Sequence, residues 1–308
     1  MNQRIKIPSF VLSYALNLKR EDLLHPVISG NKFRKLKYTM EYLNSISQKC
    51  MLTFGGAFSN HIAAVAAAGK IHGINTIGVI RGEELANKYT NNPTLSYAKA
   101  QGMQLIFVTR KQYAQKDTPE FVTWLRKEYG DFYVVPEGGT NDFAIRGCSE
   151  ILTAQDASYD YICVSVGTGG TLAGIVSTLK PHQKAIGFSA LKGTFQEDIV
   201  KKYNSNTNFE ILDEYCFGGY AKIDSDLVRF INTFKETQDI GLDPVYTGKM
   251  MYGIFDLMKK GYFKKNSRIL AIHTGGMQGI AGMNQKLIKK NLPQINICLL
   301  YTSPSPRD

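Results

Sequence analysis

Lys32 follows the turn Ser29-Gly30-Asn31 and opens a helical pattern whose apolar stripe includes Phe33, Leu36, Met40 and Leu43. Ser and Asn before such a stripe can cap a helix, so this lysine is expected at the helix's entry, where a bound molecule could reach it. Burial lowers a lysine's pKa and leaves a neutral amine, the form needed to join an aldehyde as a Schiff base. Other polar groups come from four glycine-rich turns: Gly55-Gly56-Ala57-Phe58-Ser59-Asn60, Gly138-Gly139-Thr140, Gly167-Thr168-Gly169-Gly170-Thr171 and Thr274-Gly275-Gly276. In Gly167 to Thr171, glycines let backbone N–H groups converge without Cβ interference. The helical pattern that follows adds roughly half a positive charge. This turn is predicted to bind an anion, and phosphate fits it best.

The elements that must position these turns are readable from periodicity. Short apolar runs rich in Val and Ile predict strands at Met51–Phe54, Thr76–Ile80, Gln104–Val108, Phe132–Val135, Tyr161–Val166, Ala185–Ser189 and Arg268–Ile272. Between them lie helical patterns such as Phe33–Ser45, His61–His72, Thr171–Leu179, Leu227–Thr237 and Gly248–Lys260. Alternation of this kind predicts an α/β fold with mostly parallel sheets and crossover helices. Ligands in such folds bind beyond the carboxyl ends of the strands, which is where the glycine-rich turns fall.

Specific residues exclude the commoner phosphate readings. A dinucleotide fingerprint requires a third glycine where Leu172 stands, and no acidic residue follows the next strand, which ends in Ser189-Ala190. Gly248-Lys249 is followed by Met250, so it is no P-loop, and Gly187-Phe188-Ser189-Ala190-Leu191 lacks the second glycine of a nucleophile elbow. The 308 residues carry a net charge of +11, yet the basic residues come as scattered pairs such as Lys201-Lys202 and Lys289-Lys290. That pattern suits a basic surface and an anionic ligand better than nucleic acid, which is not expected as a partner. No apolar run reaches the roughly 18 residues of a membrane span, and the N-terminal stretch is broken by Pro8, Ser13 and Asn17, so neither membrane nor signal peptide is expected. Five scattered cysteines without a CxxC pair predict reduced thiols, a cytoplasmic location and no metal site. Residues 298–308, CLLYTSPSPRD, read as a translated sequencing adapter and are expected to be a non-native tail.

Several of these segments together resemble one family. His25 to Leu36, HPVISGNKFRKL, is similar to the cofactor-lysine motif of the 1-aminocyclopropane-1-carboxylate deaminase and D-cysteine desulfhydrase family of pyridoxal-phosphate enzymes. Thr53 to His61, the GTGG turn, Asp243 to Lys249 (DPVYTGK) and His273 to Gly276 follow in that family's order, spanning about residues 20 to 290. The resemblance implies the tryptophan-synthase-β-like fold, type II of these enzymes. Two α/β domains would enclose the cofactor, a large one from residues 1–45 and 155–297 and a small one from 46–154. It implies pyridoxal 5'-phosphate on Lys32, with Asn60 at the ring hydroxyl. Lys35 and Gly167, Thr168, Gly169, Gly170 and Thr171 would hold the phosphate. Ser59, Asn60 and His61 would bind the substrate, with Ser59, Tyr220 and Tyr246 sharing catalysis with Lys32. A small amino-acid substrate and a homodimer are implied as well.

One position bears on the reaction. Where the cyclopropane deaminases have Glu after the active-site tyrosine, facing the pyridine nitrogen, this chain has Thr247; Thr274 replaces a Leu. A hydroxyl holds a proton on that nitrogen less well than a carboxylate, and so makes a weaker electron sink. Expulsion of a good β leaving group such as thiolate needs less of a sink than opening a cyclopropane ring. The expectation is therefore α,β-elimination from a small β-substituted amino acid, D-cysteine or similar, giving pyruvate, ammonia and sulfide. Deamination of 1-aminocyclopropane-1-carboxylate, racemisation and non-catalytic cofactor binding are the alternatives. His61 in place of the deaminases' Gln marks a change on the carboxylate-binding side.

Overall fold

The computed structural model describes residues 1–8, 11 and 13–297; the suspected tail and Cys298 lie outside the described residues. Two sheets organise the chain. The strands are β1 (Asn2–Arg4), β2 (Ala15–Lys19), β3 (Cys50–Gly55), β4 (Asn75–Arg81), β5 (Gln104–Val108), β6 (Tyr133–Val135), β7 (Tyr161–Val166), β8 (Lys184–Ser189), β9 (Phe209–Leu212) and β10 (Arg268–Ile272). One sheet runs β5-β4-β3-β6 and is wholly parallel. The other runs β1-β2-β10-β7-β8-β9 and is parallel except for the edge strand β1. The inner strands are nearly continuous runs of buried apolar residues, as expected where helices cover both faces.

All seven predicted strands are present. The sequence reading did not contain β1, β2 or β9, which are short and carry polar side chains such as Asn17, Lys19 and Glu210. The edge strands β1 and β9 are half exposed, and polar residues interrupt the inner strand β2, so all three lack the apolar continuity that revealed the others.

Helix α1 (Asn31–Ser45) is the spine between the sheets. Its Leu36, Met40 and Leu43 are buried with Met51, Ile62 and Val135 on the four-stranded side, each contributing about 2 kcal/mol of apolar burial. Its other side meets α6 (Asp142–Ser149), which packs in turn on α7 (Gly170–Val176) against the six-stranded sheet. Glycine makes both contacts close: a Cβ on Gly147 would lie 1.9 Å from the Arg34 carbonyl oxygen, and one on Gly174 would lie 2.4 Å from Cys148 Cβ. Lys32 therefore stands at the end of a helix wedged between both lobes.

Candidate active site

In parallel register the carboxyl ends of the strands fall on one side of each sheet, and their turns line a single cleft of about 1660 Å³. The entry of α1 is held by an interlock of glycines. Gly30 has φ +60°, and a Cβ there would lie 1.9 Å from the Thr274 carbonyl oxygen; one on Gly275 would lie 2.1 Å from Ser29 Oγ. Asn31 donates its backbone N–H to that same Thr274 oxygen at 3.3 Å. The Thr274 turn is fixed from behind by His273, whose Nδ1 accepts from Gly275 N–H at 3.1 Å. Its Nε2 therefore carries the proton and donates to Gly241 O at 2.8 Å.

Lys32 and Lys35 lie three residues apart on one helix face and converge on one acceptor. Lys32 Nζ donates to Gly138 O at 3.1 Å and Lys35 Nζ to the same oxygen at 3.0 Å. Lys35, 2% exposed, also reaches Thr140 Oγ1 at 3.1 Å and Thr168 Oγ1 at 3.5 Å. Neither amine has a carboxylate partner among the described residues. Burial first, then the charge of Lys35, holds Lys32 well below the usual lysine range, and burial likewise lowers Lys35. Neutral amines are what this arrangement favours.

Around the two lysines, Gly169 takes φ +85° and opens the 167–171 turn. A Cβ on Gly170 would meet Thr140 Oγ1 at 2.6 Å and Lys35 Nζ at 3.2 Å, so only glycine leaves that cradle open. Thr140 and Thr168 hydroxyls touch at 2.7 Å, joining the two sheets' turns, and Asn31 Nδ2 donates to Thr171 Oγ1 at 2.8 Å. Ser59 caps α2 (Asn60–His72), its Oγ accepting from Ile62 N–H at 3.3 Å. Asn60 reaches across to the Thr274 turn, where its Nδ2 would stand 2.4 Å from a Cβ on Gly276. Tyr220, 46% exposed, stands at the lip with its ring 6.2 Å from that of Tyr246, edge to face. Burial and then Tyr220 push the Tyr246 phenol well above its ordinary pKa, so it holds its proton at neutral pH.

Two predicted site residues are placed differently from the rest. His61, 2% exposed, lies beneath Gly139. Thr53 Oγ1 donates to Val135 O at 2.8 Å and so accepts from His61 Nε2 at 2.8 Å. Burial and the nearby lysines keep the ring neutral by lowering its pKa far below the usual value. Thr247 is 0% exposed and outside the cleft lining. Its hydroxyl donates to Asp243 Oδ2 at 2.6 Å and accepts from Asp243 N–H at 3.0 Å. The hydroxyl that does line the cleft there is Thr274, 3.2 Å from Ser165 Oγ.

Sequence reasoning had no role for Thr140, Ser165, Asp243 or Gly138 O. Gly138-Gly139-Thr140 was visible as a turn, but its meeting with Lys35 depends on how one sheet faces the other. Asp243 accepts from the N–H groups of Val245, Tyr246 and Thr247 at 2.9, 2.8 and 2.8 Å, and thereby fixes Tyr246 in the cleft wall.

Residues 5–275 match the profile of the family described as pyridoxal-phosphate dependent enzyme, and the chain belongs to that family. A protein of Pyrococcus horikoshii, provisionally named 1-aminocyclopropane-1-carboxylate deaminase, is 32% identical over 88% of this chain and 87% of its own. The bifunctional D-cysteine desulfhydrase/1-aminocyclopropane-1-carboxylate deaminase of Arabidopsis thaliana, a mitochondrial protein, is 27% identical over 90% of this chain and 76% of its own. Among solved structures, an ACC deaminase homologue superposes with a TM-score of 0.80 at 29% identity, covering 94% of this chain and 93% of that one. A serine racemase from Dictyostelium discoideum shares the fold at 16% identity, with a TM-score of 0.62 over 89% and 92% of the two chains. The protein is thus a pyridoxal-phosphate-dependent enzyme of fold type II, grouped with the 1-aminocyclopropane-1-carboxylate deaminases and D-cysteine desulfhydrases.

Proposed function

We propose that this enzyme removes a β leaving group and ammonia from a small amino acid, D-cysteine or a close analogue, with Lys32 as the residue that carries the cofactor. The observation that supports the reading best is the pair of amines on α1 that share Gly138 O without a counter-charge. Lys32 would join the cofactor's aldehyde, and Lys35, Thr140, Thr168 and the backbone of 167–171 would receive its phosphate in the cradle that a Cβ on Gly170 would fill. Bound there, pyridoxal phosphate supplies an electron sink for negative charge at an amino acid's Cα.

The chain's own groups would do the rest. Asn60 would orient the ring through its hydroxyl, and Ser59 with the α2 N-terminus would hold the substrate carboxylate. Lys32 would take the Cα proton. Tyr246, held protonated, would act as a proton donor at the leaving group, with Tyr220 beside it.

Thr274 Oγ1, paired with Ser165, lines the cleft and would be the hydroxyl offered to the ring nitrogen. Thr247 acts behind it, through Asp243. Asp243, the carboxylate beside Tyr246, is already saturated by four donors from residues 245–247 and would not be free for that nitrogen. This favours elimination over ring opening. Incubation of the holoenzyme with D-cysteine and with 1-aminocyclopropane-1-carboxylate separates the two. Pyruvate and sulfide from the first are expected; 2-oxobutanoate from the second alone would reverse the assignment.

A further inference from the structure

The cleft wall around the Gly55–Asn60 turn carries cations that the reaction described above does not use. Arg81, at the carboxyl end of β4, leans over this turn with Nη2 3.7 Å from where a side chain at Gly56 would begin, its guanidinium 5.7 Å from the Tyr113 ring. The other charges on its wall are matched. Arg110 pairs with Glu84 at 2.8 Å, Lys116 with Asp117 at 3.0 Å and Glu137 at 3.5 Å, and Glu137 also accepts from Tyr113 OH at 2.8 Å. Arg81 has no carboxylate partner among the described residues.

On the other side of the same turn, Lys286 stands 5.4 Å from the Phe58 ring. It comes from α11 (Gly279–Lys289), which approaches Phe58 closely at Gly282. Lys222 and Lys290 are near enough that their charges, after burial, lower the Lys286 pKa, and none of the three has a carboxylate partner among the described residues. Acidic Asp198 lines the cleft too, but on the helix beside Gly169, at the phosphate end. Cations from β4 and α11, remote in sequence, thus flank the turn proposed above to hold the substrate carboxylate. Like charges gathered at a cleft without counter-charges raise the local concentration of anions and complete their pairing with a ligand.

We propose that Arg81 and Lys286 select an amino acid that carries a second acidic group on its side chain, a substrate class that rests on the amino-acid reading given above. An α-carboxylate at Ser59-Asn60 would leave the side chain's acid between the two cations.

The test is a pair of isosteres that differ only in charge. Cofactor-loaded protein is titrated with aspartate and with asparagine, each as both enantiomers, and followed by calorimetry and by the change in the cofactor's visible spectrum. Aspartate is expected to bind about tenfold or more tightly than asparagine at low salt, as one charge-assisted pair would give. That ratio is expected to fall below about threefold in Arg81→Gln/Lys286→Gln, and in high salt with the wild-type protein. Equal affinity for the two in wild-type protein overturns the proposal while leaving the amino-acid reading intact. A holoenzyme whose spectrum no amino acid perturbs overturns both. Melting curves of the variant, whose substituted side chains are exposed, report whether a lost ratio reflects a lost fold.

Discussion

Two pairs of buried polar groups around lysine show what separates support from chemistry in this molecule. Lys19, at the end of β2, meets Asp156 at 2.6 Å, and both side chains are almost wholly buried, at 7% and 1% exposure. Asp156 takes further hydrogen bonds from Asn2 at 2.7 Å and Thr153 N–H at 2.8 Å. Although burial pushes its carboxyl up, these donors and Lys19 bring it below its ordinary value. Lys35 is held as deeply and Lys32 is half-buried, and the two share a neutral carbonyl and each other's repulsion. Enclosure alone does not make an amine reactive. The absence of a counter-charge does, because it makes the neutral form the favoured one.

The contrast can be broken most severely at Asp156. Asp156→Asn leaves Lys19 charged, buried and unmatched, and should cost about 3–5 kcal/mol in denaturant unfolding of the cofactor-free protein. A loss under about 1 kcal/mol would mean that the pair does not differ from the α1 lysines as described. Next in size is Gly30→Ala, which forces a Cβ into Thr274 O at φ +60°. It should destabilise by more than about 2 kcal/mol and displace the helix entry, so cofactor uptake should fail with the fold weakened.

Lys32→Met sharpens the comparison from the other side. Removing a desolvated amine without a counter-charge should leave the cofactor-free protein within about 1 kcal/mol of wild type, or more stable, while Schiff-base absorption disappears. Loss of several kcal/mol would show that Lys32 is structural.

The smallest effect is a matter of pH. The folded pKa values of Lys32 and Lys35 are depressed, so below those values both states are protonated and the fold bears the full cost of burying charge. As pH rises from there toward the unfolded value near 10.5, the native state sheds protons first and stability grows. Asp156 works in the same direction but in the acid range: its contribution is present above the unfolded carboxylate value and is lost as pH falls through its folded one. Lys249, lowered to about 8 by burial while it donates to Cys216 O and Gly219 O, adds to the alkaline rise. Denaturation curves of the cofactor-free Lys32→Met/Lys35→Met protein should therefore keep only part of that rise. An unchanged slope would place the depressed amines elsewhere.

How much of this could be read from the chain follows from the same physics. Strands β3, β4, β7, β8 and β10 were legible because burial on both faces leaves a nearly unbroken apolar run, and the edge strands β5 and β6 because their runs are still apolar. Strands β1 and β9 were not, because those edges are short and half exposed, nor was the inner strand β2, whose apolar run is interrupted by Asn17 and Lys19. The turns after strands were visible through their glycines, and Lys32 through its place beside Ser29-Gly30-Asn31. Partners that come from the other sheet left no local signal. Thr140 at Lys35 and Gly138 O between the amines are set by the packing of α1 between α6 and α2, whereas Arg81 comes over Gly56 from β4, the strand paired with β3. Thr247 shows the converse. Its position after Tyr246 suggested a place at the cofactor ring, but Asp243, four residues earlier, takes its hydroxyl to build the helix entry. Polar residues near a helix start are often claimed by the backbone in this way.

Lys32 and Lys35 reach the same carbonyl, so either amine could bond the cofactor. Borohydride reduction of the cofactor-saturated protein, digestion and mass mapping read directly which one does. The predicted result is a single pyridoxyl label on Lys32 with Lys35 unmodified. A label on Lys35, or on neither, would contradict it.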